Sequence, residues 1–247
     1  IRTHVTTERP RSILARNASP DIPFDKSVNP YRGCEHGCIY CYARPTHAFH
    51  DLSPGLDFES RLFAKPDAAR LLRAEIARKG HVPTPIAFGT NTDAYQPIER
   101  DWRIMRQCIE VLAEANHPMT ITTKSDRVLR DLDLLAPMAA KGLVAVAVSV
   151  TMLNPDLHRI LEPRAPHPRK RLAALKGLAD AGIPAHVNVA PVIPAINDGE
   201  IEAILEQAAL MGAKTATWIP LRLPHEVAPL FREWLQLHYP ERAARVM

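Results

Sequence analysis

The chain has 247 residues, 46% of them apolar and 23% charged, and 31 basic against 27 acidic side chains give a formal net charge of +4. That length and composition suit one domain with a sizeable core and exclude a disordered or fibrous chain. Without a run of about eighteen apolar residues, no membrane span or membrane partner is expected. The basic excess is mild, and much of it sits in two stretches. Arg2, Arg9, Arg11 and Arg16 lie near the start, and EPRAPHPRKRLAALK carries Arg164, Arg169, Lys170, Arg171 and Lys176. Each stretch reads either as solvated surface or as phosphate contacts.

In chain order, SVNPY (27–31), PIAFGT (85–90), MTITT (119–123), LVAVAVSVT (143–151), AHVNVAPVI (185–193) and KTATWIPLR (214–222) read as strands, most of them apolar enough to be buried on both faces. Amphipathic helical segments alternate with them. Asp67 opens a stripe of Leu71, Leu72 and Ile76, and Met105, Cys108, Ile109 and Leu112 share a face. Leu172, Leu175 and Leu178 precede a stop at Ala181-Gly182, and Ile201, Ile204, Leu205 and Ala208 precede another at Gly212. Such β-α repeats predict an α/β fold with a parallel sheet and right-handed crossovers, either doubly wound or curved into a barrel. Val227, Leu230, Phe231, Trp234 and Leu235 mark one face of a last helix. The expected organisation is an N-terminal arm over 1–26, the β/α body over 27–225 and a C-terminal helix over 226–247 packed on it.

YRGCEHGCIYCYAR, residues 31–44, sets Cys34, Cys38 and Cys41 just after the first strand, where a parallel α/β protein presents its functional loop. Disulfides explain an odd cluster poorly, and Cys108 on an apolar helix face reads as a small core hydrophobe. Zinc asks for four ligands, with His36 or His47 available as the fourth. Three thiolates on one compact loop suit a [4Fe-4S] cubane with one iron left open. Gly33 and Gly37 let such a loop close tightly, and exposed thiolates imply a reducing, cytoplasmic compartment.

The run NPYRGCEHGCIYCYAR resembles the signature of the radical S-adenosylmethionine (radical SAM) superfamily, and is similar to its spore photoproduct lyase-like branch. The resemblance spans nearly the whole chain. It implies a partial (β/α)6 TIM-type barrel and an enzyme whose [4Fe-4S] cluster, held by Cys34, Cys38 and Cys41, binds SAM and cleaves it reductively to a 5′-deoxyadenosyl radical. It also implies an electron donor such as flavodoxin or ferredoxin, and together with the basic stretches it suggests a nucleic acid substrate. The alternative is a zinc- or iron-sulfur-binding redox module without SAM chemistry.

The other strand ends read in the same light. Thr90, Thr92 and Asp93 in GTNTDAYQPIE offer acceptors for the SAM ammonium group, or else form a capping turn. Lys124 resembles the family lysine expected near the SAM carboxylate. Ser149, Thr151 and Asn188 correspond to polar contacts with the cofactor, with core hydroxyls satisfied by backbone as the other reading. Glu162 and Arg164 form an ion pair or touch SAM or substrate, and Pro191–Pro194 reaches the adenine. Tyr40 and Tyr42 match the tyrosine pair that relays hydrogen in spore photoproduct lyases, or are simply walls of the pocket. That branch also has a cysteine hydrogen donor after the second strand. GTNTD places Thr90 there, and an alcohol O–H is too strong to quench a carbon radical easily, so true photoproduct repair is not expected.

Overall fold

The computed structural model describes residues 2–20 and 22–247. The strands are β1 (His4–Thr7), β2 (Leu14–Arg16), β3 (Lys26–Val28), β4 (Tyr31–Arg32), β5 (Arg61–Ala64), β6 (Ile86–Phe88), β7 (Met119–Thr123), β8 (Val144–Ser149), β9 (Ala185–Val192) and β10 (Thr215–Pro220). The helices are α1 (Asp57–Ser60), α2 (Ala68–Ile76), α3 (Glu99–Trp102), α4 (Ile104–Glu114), α5 (Leu132–Ala140), α6 (Pro155–Leu161), α7 (Pro168–Asp180), α8 (Ile201–Leu210), α9 (Val227–His238) and α10 (Ala243–Val246). None of these helices is long and apolar enough to cross a membrane.

The main sheet runs β10-β9-β8-β7-β6-β3-β2, with every neighbouring pair parallel except β2 with β3. Its six parallel strands correspond to the six read from the sequence: β7 has the same bounds, β3 begins one residue earlier and ends before Asn29-Pro30, and the other four are trimmed by a residue or more. Alternation sets their faces. On β8, Val144, Val146 and Val148 are buried in the core that also holds Leu175 and Leu178 of α7, whereas Ala145 and Ala147 are only half-buried on the opposite face. Burial of each such large apolar side chain contributes roughly 1.5–3 kcal/mol. Because β2 and β10 end the order without pairing to each other, the sheet stays open, a partial (β/α)6 barrel.

A second, three-stranded sheet, β1-β5-β4, lies outside this count. The first residues supply β1 to it and β2 to the main sheet. HVTT and LAR are short, largely exposed segments, so no apolar period announces them. Side chains distant in sequence hold them instead: Glu75 accepts from the main-chain nitrogens of Ile13 (2.7 Å) and Leu14 (3.3 Å), and Arg32 pairs with Glu8 at 2.8 Å. At the other end of the chain, α9 buries Phe231, Trp234 and Leu235 in a cluster with Met152, Leu161, Ile193, Cys38 and Tyr40. The indole of Trp234 donates to the Ile160 carbonyl at 3.0 Å.

Candidate functional site

The cysteine loop follows β4, and its fold is fixed by side chains that take its backbone groups. Gly33 and Gly37 adopt left-handed φ values of 72° and 69°, which turn the chain just before Cys34 and again between Cys34 and Cys38. Arg44 is 1% exposed, and its Nε and Nη2 donate to the Cys38 carbonyl at 3.0 and 2.8 Å. On the other side of the loop Arg164 donates from Nε to the Glu35 carbonyl at 2.5 Å, and both guanidinium groups pair with Glu59. Gln96 completes the brace, accepting from Glu35 N (2.9 Å) and donating to the Gly33 carbonyl (3.1 Å). Polar backbone that would be costly to bury is thereby paired.

Cys34, Cys38 and Cys41 line one cleft of about 110 Å3, together with His36, Tyr42, Thr90, Thr92, Asp93, Thr122, Lys124 and Ser149. Burial pushes the Cys38 thiol up to about 12, against the pull of Lys124, and raises Cys34 and Cys41 as well. Cys108 lies apart, fully buried on α4 among core residues. Among the described residues no three His, Cys, Asp or Glu side chains gather as ligands of a single ion. His47 Nε2 meets the Arg61 carbonyl at 2.9 Å, and burial holds His36 down at about 4, beside Asp93 at 3.5 Å. Three thiols around one cleft are the donor set of a cubane in which each thiolate would bind its own iron.

Opposite charges share that cleft. Asp93 accepts from Thr123 Oγ1 (2.7 Å), Lys124 N (2.7 Å) and Tyr95 N (2.9 Å), so its carboxylate is held rigidly against the end of β7. Gly89 makes this approach feasible: at φ 84° an added Cβ would lie 1.9 Å from the Thr122 carbonyl oxygen, so the end of β6 touches β7 only without a side chain. Lys124 extends from the same strand end, 5.7 Å from the Tyr40 ring centroid and 3.9 Å from Glu162 Oε1. Burial opposes its charge, but the Glu162 carboxylate raises its pKa overall.

The remaining sequence-selected residues fall into two groups. Thr92 and Thr90 line the cleft with hydroxyls already engaged, Thr92 with the Gly33 carbonyl at 2.6 Å and Thr90 with the Asn29 side chain at 3.0 and 3.1 Å. Ser149 lines it too, and Tyr42, 56% exposed, covers its rim and donates to the Thr90 carbonyl. Tyr40, Thr151, Asn188 and Arg164 are not among the lining residues. Asn188 accepts from Thr217 at 3.2 Å on the opposite side of the sheet order, and Arg164 serves the cysteine loop.

Glu162 and Arg164 do not pair with one another. Glu162 is fully buried and pairs with Arg171, which is 0% exposed and does not belong to the solvated helix face read from the sequence. Its other oxygen accepts from Tyr40 Oη and from Thr151 Oγ1 (2.9 Å). Sequence reading missed Arg44, Glu59, Gln96 and the burial of Arg171. The period of α7 carried a usable signal, since Arg171 falls on the same face as Ala174, Leu175 and Leu178.

The family model of the radical SAM superfamily matches residues 28–208. An uncharacterized protein of Mycobacterium tuberculosis is 41% identical over 226 residues, 91% of this chain and 66% of that relative. The chain thus spans just under two thirds of that relative's length. One of Methanocaldococcus jannaschii is 28% identical over 214 residues, 87% of this chain and 76% of the relative. Among solved structures, spore photoproduct lyase complexed with dinucleoside spore photoproduct has a TM-score of 0.69 at 18% identity, covering 96% of this chain and 66% of that one. Streptococcus suis SuiB bound to S-adenosylmethionine has a TM-score of 0.59 at 14% identity, covering 89% and 47%. These two structures share the fold. With a matched span that runs from the end of β3 to α8 and contains all three cysteines of the cleft, the chain belongs to the radical SAM superfamily, a superfamily of enzymes.

Proposed function

We propose that this chain holds a [4Fe-4S] cluster through Cys34, Cys38 and Cys41 and works as a radical SAM enzyme on a nucleic acid substrate other than spore photoproduct. The observation that carries this reading is the company the three thiols keep: one carboxylate and one ammonium, Asp93 and Lys124, in the same cleft. A zwitterionic amino acid group needs both poles, and the methionine end of SAM is such a group. When bound, the cluster supplies the electron, drawn from a donor such as flavodoxin or ferredoxin, that splits the carbon–sulfur bond of SAM and leaves a radical able to abstract hydrogen.

The chain's own work is to bind and orient. Lys124 would take the carboxylate and Asp93 the ammonium, and Thr90, Thr92 and Ser149 line the same cleft. Thr151 and Arg164 support the site through Glu162 and Glu59, and Asn188 lies outside the cleft on β9, where it accepts from Thr217. The nucleic acid reading is supported by the exposed Arg2, Arg9, Arg11, Arg16, Arg169 and Lys170, which remain free to meet phosphate. It is supported too by the fold shared with a lyase complexed with a dinucleoside.

Against photoproduct repair stands Thr90, whose hydroxyl exchanges hydrogen bonds with Asn29 where that branch has its cysteine donor. The test is anaerobic reconstitution followed by incubation with SAM, a reductant and spore photoproduct DNA. The expected products are 5′-deoxyadenosine and methionine without multiple-turnover repair, and repair that appears only in Thr90→Cys would strengthen the assignment. Zinc instead of iron in the purified protein, or efficient repair by the unmodified chain, would overturn its respective half.

A further inference from the structure

Behind the cleft lies a buried charged group to which the proposed function gives no role toward the cofactor. Glu162 follows α6, is 0% exposed, and is surrounded by side chains from four other segments. Tyr40 comes from the cysteine loop, Lys124 from the end of β7, Thr151 from beyond β8 and Arg171 from α7. One carboxylate oxygen accepts from Tyr40 and Thr151 and lies 3.9 Å from the Lys124 ammonium, while the other accepts from Arg171. Resting on the reading above, we infer that Glu162 is the positioning residue of the cofactor cleft, fixing the Lys124 ammonium and the Tyr40 ring relative to the cysteine loop without itself touching SAM.

Two physical arguments carry this. The first is connectivity. Lys124 has a long, freely rotating stem, and an ammonium held only by solvent would spread over many positions. The Glu162 oxygen confines it to the side of the cleft beside Tyr40, and Tyr40 lies between two of the cluster cysteines in the chain. The second is charge. Glu162 carries one negative charge against two cations, Arg171 and Lys124, and Arg171 is fully buried on it at closer range. The trio keeps one net positive charge, and only Lys124, 17% exposed, opens to the cleft. Asp93, the other carboxylate of the cleft, is held in place by Thr123, the Lys124 amide and the Tyr95 amide. An anion entering the cleft therefore meets a directed, partly desolvated ammonium whose placement depends on Glu162.

A group that acts through another gives non-additive losses. The experiment is a double-mutant cycle on SAM affinity, read by equilibrium dialysis with reconstituted protein of verified iron content. Glu162→Gln keeps the shape and the acceptor but removes the charge. Glu162→Gln and Lys124→Met should each weaken SAM roughly tenfold or more, with iron content retained. The double variant should bind no more weakly than Lys124→Met alone. Because Glu162→Gln leaves Arg171 as a lone buried cation, a second background, Glu162→Gln with Arg171→Gln, removes both charges together and should show the same non-additivity. Unchanged affinity in Glu162→Gln, or losses that add in both backgrounds, would overturn the inference alone. An unmodified protein that assembles its cluster and binds no SAM would overturn the functional reading, and the inference with it.

Discussion

On the β3–β6–β7 side of the barrel, almost every polar group near the cleft is held by a partner from a distant segment. Asp93 accepts three hydrogen bonds, Arg44 takes the Cys38 carbonyl with two nitrogens, and Glu59 is shared between Arg44 and Arg164. On the β10 side, all six strand residues are exposed, Trp218 is 65% exposed, and the polar contacts are an imidazole and hydroxyls in a row, His186 with Thr215 and Thr217 at 2.7 and 2.8 Å. The interior strands around the cleft and the β10 edge thus carry opposite amounts of bracing. A cluster and a small charged cofactor need groups fixed in advance, because reorganisation during reaction is costly. An edge that is left open and neutral has no such demand.

Damage should be graded along this contrast. The largest effect is expected at the thiols: Cys34→Ala, Cys38→Ala and Cys41→Ala should each abolish iron-sulfur assembly, measured as iron and sulfide per chain. Cys108→Ala should keep a full complement of iron and lose only packing stability, about 1–2 kcal/mol by urea denaturation. Iron lost from the Cys108 variant would erase the distinction between cleft and core.

Next comes the buried pair behind the cleft. Burial alone would raise the Glu162 carboxyl, but the Arg171 guanidinium and Lys124 hold it at about 2, against an ordinary 4.5. A carboxyl depressed on folding stabilises the protein above its unfolded value, and that contribution is lost as pH falls from about 4.5 toward 2. The stability difference between the unmodified chain and Glu162→Gln should therefore be largest near neutral pH and fall by up to ~3 kcal/mol as pH drops through that acid window. Urea denaturation as a function of pH measures it, and a difference that stays constant down to pH 2 would contradict the assignment.

Smaller still is the cofactor effect of the two poles. Asp93→Asn and Lys124→Met should each weaken SAM by about 1.5–3 kcal/mol with the cluster intact, the range for a lost charged hydrogen bond. The smallest effect belongs to the open edge. Thr217→Val, which removes two exposed hydroxyl contacts, to His186 and Asn188, should change both SAM affinity and stability by less than about 0.5 kcal/mol. A loss there as large as at Lys124 would show that the far edge takes part in holding the cofactor.

Much of this arrangement was readable in the sequence, and what was not has a common cause. The parallel strands announce themselves as continuous β-branched and apolar runs, as in VAVAVS of β8, and β10 carries such a run even though all six of its residues are exposed. Cys34, Cys38 and Cys41 announce themselves because their spacing is local. By contrast, Arg44 with Glu59, Glu75 with Ile13, and Glu162 with Tyr40 are partnerships that spacing does not encode. Arg171 misled for a related reason. It stands in a run of basic residues whose other members are exposed, and only its place on the buried stripe of α7 sets it apart. The strands β1 and β2 were invisible because pairing rather than burial creates them.

Gly89 divides the engineering of this site into two independent decisions. The residue beside it, Thr90, can exchange its hydroxyl for a thiol while the backbone path of the rim stays as it is, so the reactivity of the cleft changes and its outline does not. At position 89 the reverse holds: even a methyl group would meet the Thr122 carbonyl oxygen at 1.9 Å and force the ends of β6 and β7 apart, altering the outline while adding no reactive atom. Donor swaps toward or away from photoproduct chemistry therefore have a natural boundary, and a library that varies residue 90 should hold residue 89 constant.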